Sequence, residues 1–183
     1  MTVLEVGGGV GEIQVALLES GVAASAINIE LSPNWETAAQ ALLAERGLTD
    51  RVTRLNGDFV QEAASLQKAD AVILHRVVCC YPDWKAMLTA AASRSNHFVV
   101  ATFPRPRLWF RMIAAIENAY HRLRKRQFRA FIHPPEAMIE FLNSSGFPNV
   151  ADRQGLLWRT ILAEHALPTA RTTGPDQRRY GPS

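Results

Sequence analysis

Glycines cluster directly after a short apolar run near the start of the chain. Residues 7–11 read Gly-Gly-Gly-Val-Gly, the acid Glu5 precedes them, and a helical pattern follows them. Four glycines in five residues exceed what a turn from strand to helix needs, and glycine allows the backbone to approach a bound molecule closely. We therefore interpret residues 7–11, which we call the glycine loop, as a ligand-binding loop rather than a purely structural turn.

A second group of residues that could bind a ligand is basic. Between Arg105 and Arg129 the chain has eight Arg or Lys and one acid, a local charge of +7 in a protein of net charge +3. Guanidinium groups pair with carboxylates or phosphates through two hydrogen bonds, so four arginines are candidates for binding an acidic molecule: Arg105, Arg107, Arg111 and Arg129. The alternative is a solvated helix face whose arginine stems cover apolar surface.

The elements that position these residues alternate between strand and helix. Apolar runs at 3–6, 26–30, 69–74 and 97–103 and an alternating run at 51–55 predict strands, and helical patterns separate most of them. Such alternation predicts an α/β fold with a doubly wound, mostly parallel sheet. An amphipathic helix over 109–123, a helix over 135–146 and two closing strands near 150–153 and 156–163 follow.

The glycine pattern distinguishes between two kinds of nucleotide-binding loop. The dinucleotide fingerprint G-x-G-x-x-G fails, because Glu12 or Gln14 stands where its last glycine would be, which argues against a nicotinamide-dependent dehydrogenase. The pattern present is acid-x-G-x-G-x-G: Glu5, Gly7, Gly9 and Gly11. Here the chain resembles the class I, Rossmann-like methyltransferases that use S-adenosylmethionine. Its layout is also loosely similar to magnesium-protoporphyrin O-methyltransferases and related small-molecule enzymes.

The resemblance implies roles for residues beyond the glycines. In the family, an acid ending the second strand binds both ribose hydroxyls, and Glu30 stands at that position. Asp58 matches the acid that accepts from the adenine amino group, and Phe59 matches the residue that packs on the ring. Leu31 with Phe59 offers the apolar slot that adenosine needs. Where similar enzymes have an acid after the fourth strand, this chain has Arg76, and the neighbouring His75 is the substitute candidate for contacting the donor.

The sequence indicates less about the methyl acceptor than about the methyl donor. The absence of an Asn-Pro-Pro-Tyr-type motif and of a Pro-Cys nucleophile disfavours the corresponding nucleic-acid and protein methyltransferases. A small molecule with an oxygen nucleophile, a carboxylate or hydroxyl, fits the arginines better. His75 and His133 are candidate bases, although His133 precedes Pro134-Pro135, where a hydrogen bond in the turn that enters a helix is the simpler expectation. A catalytically inactive or truncated donor-binding remnant, acting through a partner, is the alternative.

The remaining expectations concern organisation and setting. We predict a methyltransferase domain over 1–166, with a basic helical insert at 105–133, and a disordered tail over 167–183 rich in Pro, Gly, Thr and Arg. Helices that close over the donor in relatives would precede residue 1 and are missing from this sequence. No apolar run is long enough for a membrane span, and no signal peptide is present, so a cytoplasmic protein, possibly a homodimer, is expected.

The sequence predicts no metal site and no nucleic-acid platform. The chain's two cysteines, Cys79 and Cys80, are adjacent, and adjacent cysteines rarely satisfy disulfide geometry with each other. No His or Cys stands at a spacing typical of zinc ligands. We expect buried, free thiols that make no bond to each other.

Overall fold

The computed structural model describes residues 1–105, 108–124 and 129–166, with backbone only for 108–111. It contains a sheet of seven strands. These are β1 (Thr2–Val6), β2 (Ser25–Glu30), β3 (Val52–Asn56), β4 (Ala69–His75), β5 (Ser95–Pro104), β6 (Asn149–Gln154) and β7 (Trp158–Glu164).

The strand order confirms the predicted doubly wound sheet. The order is β3-β2-β1-β4-β5-β7-β6, with β1 to β5 parallel and β7 antiparallel to both of its neighbours. The chain runs from β1 outward to β3 and then crosses back to β4 on the other side of β1. Ligands of such sheets lie at this reversal, beyond the carboxyl ends of the strands, and the glycine segment follows β1 there.

Six helices accompany the sheet in the described residues. They are α1 (Glu12–Glu19), α2 (Glu36–Glu45), α3 (Phe59–Glu62), α4 (Trp84–Arg94), α5 (Leu108–Leu123) and α6 (Pro135–Ser144). A 3-10 turn, Pro33–Trp35, precedes α2, and the Ser32 side chain makes no capping bond. The Ser32 backbone N–H donates to the Glu30 carboxylate, so Ser32 belongs to the site described below.

Both faces of the sheet are covered by apolar side chains, as a parallel sheet requires. Successive residues of β1 enter different clusters: Leu4 packs with Val72, Val99 and residues of α4 and α6, whereas Val3 packs with residues of α1 and α2. Glu5 lies on the same face as Val3 because side chains alternate along a strand. The glycine loop is therefore anchored to a core that is fixed from both sides.

The helix α5 departs from the packing that its amphipathic pattern predicts. Among its described side chains only Ala114 is a buried apolar residue, while Ile113, Ile116 and Leu123 are exposed, Ile116 at 68%. An amphipathic helix in a compact domain normally buries its apolar face. The helix predicted over 109–123 is present, but most of its described apolar side chains are exposed. In the described part of the chain, no helix is both long and apolar enough to cross a membrane.

Candidate functional site

The glycine loop has a backbone conformation that only glycine adopts readily. Gly7, Gly9 and Gly11 have φ values of 62°, 58° and 90°, all in the left-handed region. A β-carbon on Gly7 would lie 2.6 Å from Cγ2 of Val77, in the segment that follows β4. Gly7 is thus required both by its conformation and by the close approach of a second loop.

Beneath the glycine loop, three polar side chains form one row across the sheet. Glu5 of β1 is in register with Asn28 of β2, which is in register with Arg54 of β3. Residues in register on parallel strands project from the same face. Glu5 and Asn28 are buried, and both lie against Gly8, where a β-carbon would contact each of them. The row supports the loop from below.

Burial is the largest influence on the pKa of the Glu5 carboxyl. It raises the pKa of this carboxyl from 4.5 to about 7, against the opposing effects of the Gln14 N–H, the Asn28 amide and Arg54. The Gln14 N–H donates to Glu5 Oε2 over 3.3 Å. Glu5 therefore links the strand before the glycine loop to the first turn of α1, which starts after it.

Arg54, like Asn28, is a residue of this row that was not predicted from the sequence. Its side chain is only 3% exposed, and its Nε donates to Glu36 Oε2 over 2.9 Å. Its Nη2 donates to the Gly9 carbonyl over 3.1 Å. The signal in the sequence was weak, because an arginine in the alternating strand 52–56 is normally exposed.

Glu30 lies at the carboxyl end of β2 and faces the same loop. Its Oε2 accepts from the Gly9 N–H and its Oε1 from the Ser32 N–H, each over 2.9 Å. A carboxylate oxygen accepts more than one hydrogen bond, so both oxygens keep capacity for a ligand. The next residue, Leu31, is 65% exposed beside this carboxylate. The predicted diol acceptor and apolar residue thus lie together at the glycine loop.

Asp58 is positioned by the short helix α3. Its Oδ1 caps the helix by accepting from the Val60 N–H over 2.9 Å, and its Oδ2 accepts from the Tyr81 hydroxyl over 3.3 Å. Phe59 is buried in the core at 4% exposure, which leaves little of its ring accessible. A stack of Phe59 on adenine therefore stays a prediction, and Asp58 is held in place by its capping bond.

The segment 76–81, which we call the β4 loop, separates two regions of the site. On one side Val77 meets Gly7 and Tyr81 bonds to Asp58. On the other side the Arg76 guanidinium lies over the Trp158 ring, 4.6 Å from its centroid. Arg76 has a φ of 58°, a conformation uncommon for any residue other than glycine, which turns the chain sharply at the end of β4.

His75, the last residue of β4, is half-buried. Burial and then the Arg76 charge lower the pKa of its imidazole below the usual 6.5, which favours the neutral form. A neutral imidazole has one nitrogen that can accept a proton. The structure thus leaves His75 a chemically competent candidate for a base.

A cavity of about 290 Å³ lies on the far side of the β4 loop. Its described lining is Arg76, Cys79, Cys80, Ile113, Ala114, Glu117, Ala130, Phe131 and Trp158. The two cysteines are free, but Cys79 is half-buried and Cys80 is exposed, so the expectation of buried thiols is wrong. They sit on a 3-10 turn at the cavity rather than in the core.

The segment 129–133 lines this cavity through Ala130 and Phe131 and is fixed at three points. The Asn118 side chain exchanges two hydrogen bonds of 2.8 Å with the backbone of Ala130. The Phe131 N–H donates to the Cys79 carbonyl over 2.7 Å. His133 Nε2 donates to the Tyr81 carbonyl over 2.9 Å, since a carbonyl can only accept. This bond leaves Nδ1 of His133 for any other role.

Of the four candidate arginines, the structure describes the side chains of two, Arg105 and Arg129. Arg105 donates from Nη1 to the Gly155 carbonyl over 3.1 Å, in the turn that joins β6 and β7. Arg129 is half-buried at the start of the segment 129–133 and has a partner of its own. Arg107, the Arg111 side chain and the predicted tail 167–183 lie outside the described residues.

Comparison with known proteins agrees with this geometry. A family model described as a methyltransferase domain matches residues 4–94, about half of the chain, from β1 to the end of α4. That range contains the glycine loop, Glu30, Asp58 and the β4 loop.

Solved structures share the fold at low sequence identity. Magnesium protoporphyrin IX methyltransferase from Synechocystis PCC 6803, with bound S-adenosylhomocysteine, is 20% identical, with a TM-score of 0.71 over 89% of this chain and 73% of that one. An O-methyltransferase family protein from Burkholderia thailandensis is 14% identical, with a TM-score of 0.74 over 90% and 51%. A putative sarcosine dimethylglycine methyltransferase from Galdieria sulphuraria is 11% identical, with a TM-score of 0.70 over 90% and 78%.

These matches agree with the strand order and with the glycine pattern of the first loop. The chain belongs to the methyltransferase-domain family and has the fold of the class I methyltransferases.

Proposed function

We propose that the chain transfers the methyl group of S-adenosylmethionine to an oxygen atom of a small molecule, a carboxylate or a hydroxyl. The observation that carries this proposal is the β4 loop, which contacts the glycine loop through Val77 and lines the 290 Å³ cavity through Arg76, Cys79 and Cys80. The donor region and an acceptor-sized cavity therefore share one wall.

The residues around the glycine loop fit the donor. Glu30 has free acceptor capacity on both oxygens for the ribose hydroxyls, and Leu31 exposes apolar surface next to it. Asp58 would accept from the adenine amino group, and Gly7, Gly9 and Gly11 would let the backbone approach the donor. When bound, the sulfonium supplies an already activated methyl group, so the protein mainly has to align the acceptor with it.

The proton requirement depends on the acceptor. A carboxylate is already a nucleophile and needs no base, whereas a hydroxyl loses a proton as it reacts. His75 would be the base in that case, because its lowered pKa keeps the imidazole neutral. His133 is a second candidate through Nδ1, and its bond to Tyr81 fixes the ring.

Charge at the cavity supports an acceptor with an anionic or electron-rich group. Arg76 is the lining cation, and its stacking on Trp158 holds the guanidinium at one wall. Arg105, Arg107, Arg111 and Arg129 belong to the same insert region and would attract an acidic acceptor toward it. Glu117, the lining acid, is exposed on α5 and would disfavour an anion placed next to it.

Calorimetric titration with S-adenosylmethionine and S-adenosylhomocysteine tests the donor site. Glu30→Ala should weaken binding at least about tenfold, because hydrogen bonds to a charged group contribute roughly 1.5–3 kcal/mol each. Glu19→Ala is the matched control: Glu19 pairs with Arg46 on the surface, and its loss should leave affinity unchanged. Equal affinity in all three proteins would contradict the donor site.

Turnover assays then test the acceptor. We expect formation of S-adenosylhomocysteine with carboxylate- or hydroxyl-bearing aromatic compounds, and Arg76→Ala should raise KM for them more than it lowers kcat. Methyl transfer to amines alone would contradict the oxygen nucleophile while leaving the donor site intact.

A further inference from the structure

The two cysteines beside the cavity are arranged as a pair. Their sulfur atoms lie 3.9 Å apart, and both thiols point toward the Arg76 carbonyl oxygen, at 3.4 Å for Cys79 and 3.7 Å for Cys80. Both sulfurs are thus on one side of the turn Val78–Cys80, and both residues line the cavity. We propose that Cys79 and Cys80 form a dithiol site that binds a trivalent organoarsenical, with its organic group in the cavity.

The sulfur separation suits a bridging atom better than a direct bond. A disulfide needs sulfurs about 2.05 Å apart and α-carbons usually about 4.4–6.8 Å apart, whereas adjacent α-carbons across a trans peptide are about 3.8 Å apart. A centre with two sulfur bonds of about 2.3 Å spans the observed 3.9 Å at an angle of roughly 115°. Small side-chain rotations bring that angle to the value of a pyramidal centre.

The number of protein side chains available as ligands indicates which kind of central atom the two cysteines could bind. Within the described ranges, no group of three or more His, Cys, Asp or Glu side chains could hold a metal ion. A soft centre that needs only two protein sulfurs and brings its own third substituent therefore fits better than zinc, which takes three or four protein ligands. A trivalent organoarsenical has this requirement.

The cavity supplies space for the third substituent. Phe131, Trp158 and Ile113 line it together with the two cysteines, so an aryl group would contact apolar and aromatic surface. The hydrogen bond between the thiols lowers the pKa of Cys80 and raises that of Cys79. Cys80 is therefore the thiol that ionises more readily and attacks first as the thiolate.

The reaction is a condensation without any redox change. Phenylarsine oxide, C6H5As=O, reacts with two thiols: two arsenic–sulfur bonds form, the arsenic–oxygen bond breaks, and the two thiol protons leave with the oxygen as water. Arsenic stays trivalent. The adduct needs neither the methyl donor nor an acceptor, and its phenyl group would occupy the cavity.

Intact mass spectrometry of the reduced full chain with phenylarsine oxide tests the site. The chain has two cysteines in all, so the position of any adduct is unambiguous. We expect one phenylarsenic unit per chain, retained in excess glutathione and removed by a small 1,2-dithiol. Cys79→Ser and Cys80→Ser, each leaving one thiol, should bind roughly 100-fold more weakly, because the second bond is then no longer intramolecular.

The dithiol site would be overturned by two arsenic units per chain, by single-cysteine variants that retain the adduct in glutathione as well as the unmutated chain does, or by the absence of any adduct in a folded chain. Titration of both variants with S-adenosylhomocysteine checks that they are folded. A chain that forms the adduct but binds no donor contradicts the proposed function alone. A chain that binds the donor but forms no adduct contradicts the dithiol site alone.

Discussion

Arg54 connects two segments that surround the donor region. Its guanidinium donates to the Gly9 carbonyl and to Glu36 at the start of α2, from a buried position. Arg54→Met keeps most of the length but removes both bonds, so the glycine loop loses its support. We expect affinity for S-adenosylmethionine to fall about tenfold or more, measured by calorimetry.

Two variants separate this role of Arg54 from a general loss of charge. Arg54→Lys keeps the charge but cannot reach both acceptors in one fork, so it should restore affinity only in part. Arg46→Met removes an exposed arginine paired with Glu19 and should have no effect. Full affinity in Arg54→Met would show that Arg54 does not position the loop.

The buried carboxyl of Glu5 should make stability depend on pH. Its pKa is about 7 in the folded protein and near 4.5 in the unfolded chain, so between these values the folded state binds more protons. Stability from this group is complete below pH 4.5 and is lost as pH rises to about 7, by on the order of 3 kcal/mol.

Glu5→Gln isolates this effect from all other titrating groups. The neutral amide has the same shape, so unfolding by urea at pH 5 and pH 8 should show a smaller decline for the variant than for the unmutated protein. Parallel profiles of the two proteins would contradict a raised pKa of Glu5.

At the scale of elements, the glycine loop and the β4 loop depend on each other. Gly7→Ala combines an unfavourable φ with a clash against Val77, whereas a β-carbon on Gly21, at φ 75°, would have no neighbour within 4 Å. Gly21→Ala should therefore cost about 1–2 kcal/mol from φ alone. Gly7→Ala should cost more in urea unfolding and should also weaken donor binding, and an equal cost for both would show that the close approach is unimportant.

The contact of α5 with the segment 129–133 is a second dependence between elements. Asn118→Ala removes both bonds to Ala130, so amide hydrogen exchange at 130–133 should accelerate about tenfold, with donor affinity unchanged. Asn96→Ala, at an exposed position in β5, is the matched control and should leave exchange in that segment unchanged. Unaltered exchange in Asn118→Ala would show that the segment is held by its other contacts.

Strands were easier to predict from the sequence than contacts between elements. The strands β1, β2, β4 and β5 follow from apolar runs, since a strand buried on both faces is apolar throughout. The strands β3 and β6 are largely exposed, and β3 follows from an alternating pattern instead. The exposure of the apolar side of α5 could not be predicted, because periodicity shows that a helix has two faces but not whether a neighbour covers either. Arg54 and Asn28 were missed for a related reason, since their roles depend on strand register.

The positions of the candidate residues were predictable where each residue lies at or just after the end of a predicted strand. Glu5, the glycines, Glu30 and Asp58 lie at strand ends, and the fold brings them to one edge of the sheet. The β4 loop could not be seen as a shared wall, because Val77 and Gly7 are 70 residues apart in the sequence. The cavity likewise joins side chains from β7, α5 and the β4 loop.

At the scale of the whole molecule, donor binding should stabilise the fold. The donor site draws on β1, β2 and β3, so a ligand there binds the folded state only. At 100 times its Kd, S-adenosylhomocysteine should add about 2.7 kcal/mol to the free energy of unfolding, measured by urea denaturation. Glu30→Ala should show little of this gain, and an equal gain in the variant would place the ligand elsewhere.

Other expectations about the whole molecule stay predictions. These are the domain boundaries at 1–166 and 167–183, a possible homodimer, the absence of nucleic-acid binding and a cytoplasmic location. Light scattering of the purified chain, with and without donor, measures the oligomeric state.

The β4 loop also has a thermodynamic consequence. Tyr81 donates from its hydroxyl to Asp58 on the donor side and accepts at its carbonyl from His133 on the cavity side. We expect a ligand that shifts this residue from one side to alter the geometry available on the other, which would couple the two binding equilibria. Coupling free energy is reciprocal. If the donor raises the affinity for the acceptor by some factor, the acceptor must raise the affinity for the donor by the same factor. Tyr81→Phe should reduce these two factors equally.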